Sequence, residues 1–183
     1  MKATALLKSQ HRTVERILDS LEDGSTDWAS ELNELANNLA AHMAIEQDIF
    51  YPAARDIDAK LVGQSYEEHA IAELALKRLL ATPGDDPTFT VKVTALKELI
   101  ENHVEEEEEE LFPDVEEGME ADELESLGEE MSAAFDEAVA EGYKSLLPEG
   151  LEASADAAQE PPSAAPPEGT TKRRSRKRGE AGA

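Results

Sequence analysis

The chain has 183 residues, with 42 acidic side chains against 17 basic ones and a formal charge of −25. So acidic a body repels nucleic acid and anionic membrane surfaces. The absence of cysteine removes disulfides, thiolate chemistry, zinc ribbons and iron–sulfur clusters. No apolar run approaches the roughly 18 residues of a membrane helix, and the start, MKATALLKSQH, lacks a leader's apolar region and cleavage site. The expectation is a cytoplasmic protein of one domain with tails.

The first predicted helix covers residues 3–22. Leu7, His11, Val14, Ile17, Leu18 and Leu21 keep to one face, and Gly24 stops it. The second starts near Asp27 and turns Leu32, Leu35, Leu39, His42, Ile45, Glu46 and Ile49 inward. Pro52 lacks an amide donor, so this helix kinks or ends there. The third covers about 59–81, with Tyr66, His69, Glu73, Leu76 and Leu80 on its stripe and Gly63 weakening its first turns. The fourth takes Asp86 as N-cap and Pro87 as first residue. It presents Val93, Leu96, Ile100, His103, Glu107 and Leu111, and ends near Pro113. A fifth amphipathic helix is expected at about 121–141. The fold class is therefore all-α: an antiparallel up-down four-helix bundle over 3–113, with the added helix packed outside and a domain spanning 1–145. Residues 146–183, rich in Ala, Pro and Glu, read as a disordered tail carrying the basic run KRRSRKR at 172–178.

One stretch occurs twice. AHMAIEQDIFYP holds His42 and Glu46, and NHVEEEEEELFP holds His103 and Glu107. In each, the glutamate follows the histidine by four residues, on the same helical face. The remaining histidines also precede a glutamate by four, as His11–Glu15 and His69–Glu73. Four apolar stripes meeting at one axis place all four imidazoles inside, where they need partners. A metal site answers that need, and a set of hydrogen-bonded His–Glu pairs is the competing account. Four histidines and two glutamates exceed a structural zinc site and fit two adjacent ions sharing carboxylate bridges, iron first and manganese second. Within the glutamate run, Glu107 matches Glu46, and Glu108 is close enough in angle to be a rival. Glu15, flanked by Arg12 and Arg16, reads as an exposed ion pair. Tyr51, Phe50, Phe112 and Tyr66 read as packing, with a phenol near the metals as the alternative that no spacing supports.

His11, His42 with Glu46, His69, His103 with Glu107, and the FYP and LFP endings resemble the hemerythrin-like HHE cation-binding domains. The likeness covers residues 3 to 113. It implies a bundle around a non-haem di-iron centre, with four histidines as terminal ligands and the two glutamates bridging. Oxygen-carrying hemerythrins have a fifth histidine where this chain has Glu73, so Glu73 becomes a further candidate ligand, its charge favouring the oxidised centre. The implied function is binding, sensing or reaction with oxygen, nitric oxide or peroxide. Iron buffering and a metal-free acidic interaction bundle are the alternatives. Nucleic acid could bind only through the basic run.

Overall fold

The computed structural model describes residues 1–147. Of the tail expected at 146–183, residues 146 and 147 are described, and the rest, with its basic run at 172–178, lies outside. Helix α1 spans Ala3–Glu22 and stops at Gly24, whose φ of +83° belongs to the left-handed region that glycine tolerates. Helix α2 spans Trp28–Ile45. A π-helical turn at Glu46–Phe50 then leads into the short α3, Tyr51–Ala54. Helix α4, Ala59–Leu80, starts on Asp58, whose Oδ1 accepts from the amides of Lys60 and Leu61 at 2.9 Å; this is a side-chain N-cap. Gly63 sits in that helix without breaking it.

Helix α5, Phe89–Glu106, starts later than Asp86 and Pro87 suggested. Asp86 instead closes a turn, its Oδ1 accepting from the Thr88 amide at 2.7 Å. A second π turn, Glu107–Leu111, leads into α6, Phe112–Gly118. Helices α1 and α2, α4 and α5, and α1 and α5 pack side by side as an up-down bundle. Helix α7, Ala121–Glu141, lies outside on α1 and α2, as expected. The sequence reading assigned no helix to residues 143–146. They form α8, Tyr143–Leu146, which returns to α2. Among the described residues, no helix is long and apolar enough to cross a membrane.

A proline stands just past each wide turn, as the second residue of the helix that follows. Pro52 and Pro113 have no N–H to give the residue four before, so an α-helix would carry an unpaired carbonyl there. One inserted residue changes the register. The Tyr51 amide bonds the Glu46 carbonyl, and the Phe112 amide bonds the Glu107 carbonyl. Two apolar cores result. One holds Val14, Leu18, Leu39, Met43, Ile100 and Val104. The other holds Leu7, Ile45, Phe50, Val62, Leu111 and Phe112. Along each long helix, the histidine falls between residues of the first core and residues of the second.

Candidate metal centre

All four histidines are buried, from 1% to 5% exposed, and Glu46 and Glu107 are at 0% and 1%. Each histidine places Nε2 toward a common centre. His42 Nε2 is 3.1 Å and His69 Nε2 3.3 Å from Glu46 Oε2. His11 Nε2 is 3.4 Å and His103 Nε2 3.6 Å from Glu107 Oε2. The Nε2 atoms of His69 and His103 lie 3.0 Å apart. Two subsets bring their donor atoms within 4.8 Å of one another: His11, His42 and Glu46, and Glu46, His69 and His103. Glu46 belongs to both, as a bridging carboxylate would.

The opposite ring nitrogens point outward and are occupied. His11 Nδ1 donates to Glu108 Oε1 at 2.9 Å, His42 Nδ1 to Gln10 Oε1 at 3.0 Å, and His103 Nδ1 to Glu68 Oε2 at 2.8 Å. The Gln47 amide lies 3.1 Å from His69 Nδ1. There the contacting atom is Nε2, which donates to the ring nitrogen, so His69 differs from the other three. In His11, His42 and His103 a proton fixed on Nδ1 leaves the Nε2 lone pair free to bind a cation.

The electrostatics follow from burial at close quarters. Desolvation, aided by the neighbouring His11, holds His42 well below the usual imidazole range. Desolvation and His103 lower His69 to about 3. For His103, burial opposes charging, but Glu107 and the Glu68 bond outweigh it and raise the pKa. Burial, reinforced by Glu107, pushes Glu46 well above the carboxylate range. Glu107 goes the other way: burial would raise it, yet His103 and His11 hold it well below.

The donor set fits a pair of cations. Both oxygens of Glu46, Glu107 Oε2 and His11 Nε2 are buried without a hydrogen-bond partner. Such groups are costly unless something pairs them. Four imidazole nitrogens and two carboxylates, all facing inward, meet that description.

The six residues of the doubled motif and its partner helices therefore meet, and Glu73 does not join them. Its carboxylate bonds Lys77 one turn along, with a quarter of the side chain exposed. Glu15 pairs with Arg12 at the surface, as expected. Glu108, the rival ligand, turns outward and sits behind His11. Tyr51 corrects the sequence reading, which made it packing. Its hydroxyl donates to Glu107 Oε1 at 2.8 Å and lies 3.1 Å from His69 Nε2. Burial first, then Glu107 and Glu46, push the phenol well above its ordinary pKa, so it stays protonated. The equivalent residue in the second copy is Phe112, stacked on His11 with ring centroids 5.9 Å apart. One side of the centre thus carries a hydroxyl and the other an apolar ring. The signal for this was the difference between FYP and LFP.

Residues 2–115 match the model of the hemerythrin HHE cation binding domain. A solved HHE cation binding domain-containing protein from Mycobacterium kansasii is 28% identical, with a TM-score of 0.69. The match covers 77% of this chain and 89% of that one. A protein described as a DNA nickase, from Nostoc sp. (strain PCC 7120), is 22% identical over 137 residues. That match takes in 73% of this chain and only 39% of the nickase. The family match and the inward-facing histidines and glutamates agree: this chain belongs to the hemerythrin HHE cation-binding domain family.

Proposed function

We propose that this chain holds two iron ions and binds or reacts with a small oxidant such as oxygen, nitric oxide or peroxide. The observation that carries the reading is the set of four Nε2 atoms and two carboxylates facing one buried centre, several without partners. His11, His42, His69 and His103 would hold the ions, with Glu46 and Glu107 between them. Bound iron would supply one-electron redox chemistry and positions for a small ligand. The protein's own part is to hold each imidazole by its Nδ1 atom, to keep bulk water out with two apolar cores, and to present one proton. That proton sits on Tyr51 Oη and is donated to Glu107 Oε1. A low-dielectric surround strengthens each of these contacts. The test is iron content, followed by absorption spectra of the reduced protein mixed separately with oxygen, nitric oxide and peroxide. Two irons per chain and a spectral response to at least one oxidant support the reading. No response to any of the three would contradict it.

A second reading concerns the basic run at 172–178, six of whose seven residues are Lys or Arg. We propose that any nucleic-acid contact is made there, since the described body is strongly acidic. The likeness to a protein described as a DNA nickase is the reason to test it. Binding of a labelled duplex at low salt should vanish when 172–178 are replaced by Ala and Ser. Binding that survives the replacement would place the contact elsewhere.

A further inference from the structure

The outward contacts of the histidines repeat as strictly as the ligands do. Gln10 and Glu68 each precede the histidine of a first or third helix, His11 and His69. Each bonds Nδ1 of the neighbouring helix's histidine, Gln10 to His42 and Glu68 to His103. Gln47 and Glu108 each follow a bridging glutamate, Glu46 and Glu107. Each reaches the histidine of the other helix type, Gln47 to His69 and Glu108 to His11. One geometric rule thus operates twice, with amides from the first helix pair, α1 and α2 with its π turn, and carboxylates from the second, α4 and α5 with its π turn.

We propose that Gln10, Gln47, Glu68 and Glu108 are positioning residues for the four histidines, and that Glu68 and Glu108 make His103 and His11 the stronger metal donors. The proposal rests on the reading of those histidines as ligands. A carboxylate on Nδ1–H draws the proton outward and makes Nε2 a better base, while a neutral amide orients the ring with less effect on basicity. The two stronger donors fall in different subsets: His11 with His42, and His103 with His69. Each ion would therefore have one carboxylate-backed and one amide-backed imidazole. The carboxylates are themselves held. Arg12 Nη2 contacts both oxygens of Glu108 at 2.7 and 2.6 Å, and Gln64 Nε2 donates to Glu68 Oε1 at 3.0 Å. A surface charge would not need such support on the face turned toward a buried ring.

The test uses the full chain and Glu68→Gln, Glu68→Ala, Glu108→Gln, Glu108→Ala and Arg12→Ala. Ferrous and cobaltous ion affinities are measured against a competing chelator. The histidine tautomers of the metal-free proteins are read from ring ¹⁵N shifts. Each Ala variant should lose about 10- to 100-fold in metal affinity, the range known for outer partners of metal-bound histidine. Each Gln variant should lose less. The Nδ1–H form of His11 should persist in Glu108→Gln and give way to a mixture in Glu108→Ala. Arg12→Ala, which breaks the clamp but leaves the carboxylate, should lose less than Glu108→Ala. Ala variants with parental affinity and parental tautomers would overturn the proposal alone. Equal losses in Arg12→Ala and Glu108→Ala would overturn the assignment of Glu108, because the surface ion pair would then carry the effect. A parent chain that takes up no metal would overturn the di-iron reading and the proposal together.

Discussion

Glu46 offers a test in which stability and function move in opposite directions. Its carboxyl is fully buried, and neither oxygen has a hydrogen-bond partner among the described residues. Without metal, burial and Glu107 raise its pKa well above the carboxylate range and favour the neutral acid. A buried polar group left unsatisfied costs about 1–3 kcal/mol. Methionine has nearly the same length and flexibility and no such cost. Glu46→Met gives up the approaches to His42 Nε2 at 3.1 Å and His69 Nε2 at 3.3 Å. His69 Nε2 retains Tyr51 Oη and His103 Nε2 as neighbours. The expected net effect in chelator is a stabilisation of about 1.5 kcal/mol. That is a rise in Tm of roughly 3–6 °C for a domain of this size. With metal added, the parent should gain stability in proportion to RT ln(1 + [L]/Kd), and Glu46→Met should gain nothing. The assay is thermal unfolding with chelator and with ferrous iron, side by side. A variant that is less stable in chelator and still rises with iron would refute the reasoning, since Glu46 would then be a structural group and not a ligand.

Other expectations follow from the same structure. In the metal-free protein, His42 and His69 are held below their unfolded value of about 6.5. The unfolded chain then binds more protons, so their stabilisation is complete above about pH 6.5 and is lost as pH falls toward 3. Glu46, raised, opposes them above about 4.5, but two histidines outweigh one carboxyl, so stability should rise with pH from about 4.5 to 6.5. Urea midpoints in chelator across that range check this, and a flat profile would contradict it. Tyr51→Phe keeps the buried ring and loses the bond to the ionised Glu107, which should cost about 1.5–3 kcal/mol in chelator and shift the absorption of the iron-loaded protein. An unchanged melt and spectrum would return Tyr51 to a packing role. Gly128 lies where α7 meets the start of α1. A Cβ there would stand 2.2 Å from the Met1 carbonyl oxygen and 2.8 Å from the Ala3 amide nitrogen. Backbone cannot yield as a side chain can, so Gly128→Ala should lower stability by about 1–3 kcal/mol while metal content stays at the parental level, measured by melting and metal analysis.

The bundle was legible because apolar residues recur at helical spacing on four segments, and the ligand set because His42–Glu46 and His103–Glu107 repeat one turn apart. Gly24 marked the end of α1, but the helix expected to end near Pro113 runs on through α6 to Gly118, and Asp86 and Pro87 proved to be turn residues ahead of α5. Tyr51 was hidden by the ideal helix. Nine residues at about 100° each leave it roughly half a turn from His42's stripe. The π turn inserts one residue and swings the phenol back to Glu107. Such wide turns often mark functional sites, and the proline of each FYP or LFP ending is the cue that one is needed. Glu73 misled for the reverse reason. It keeps the right spacing from His69, but Lys77 one turn further along holds it near the surface. Glu68, Gln10 and Gln47 carried no signal in periodicity, because their partners lie on neighbouring helices.

The most direct test of the central claim is metal analysis of the parent chain beside His42→Ala and His103→Ala, all loaded with iron under the same conditions and freed of excess ion. The two histidines lie in different subsets around Glu46, and each offers Nε2 to the buried centre. The account predicts two irons per parent chain and loss of stoichiometric iron in both variants, with helical content preserved. Parental iron content in both variants would contradict it.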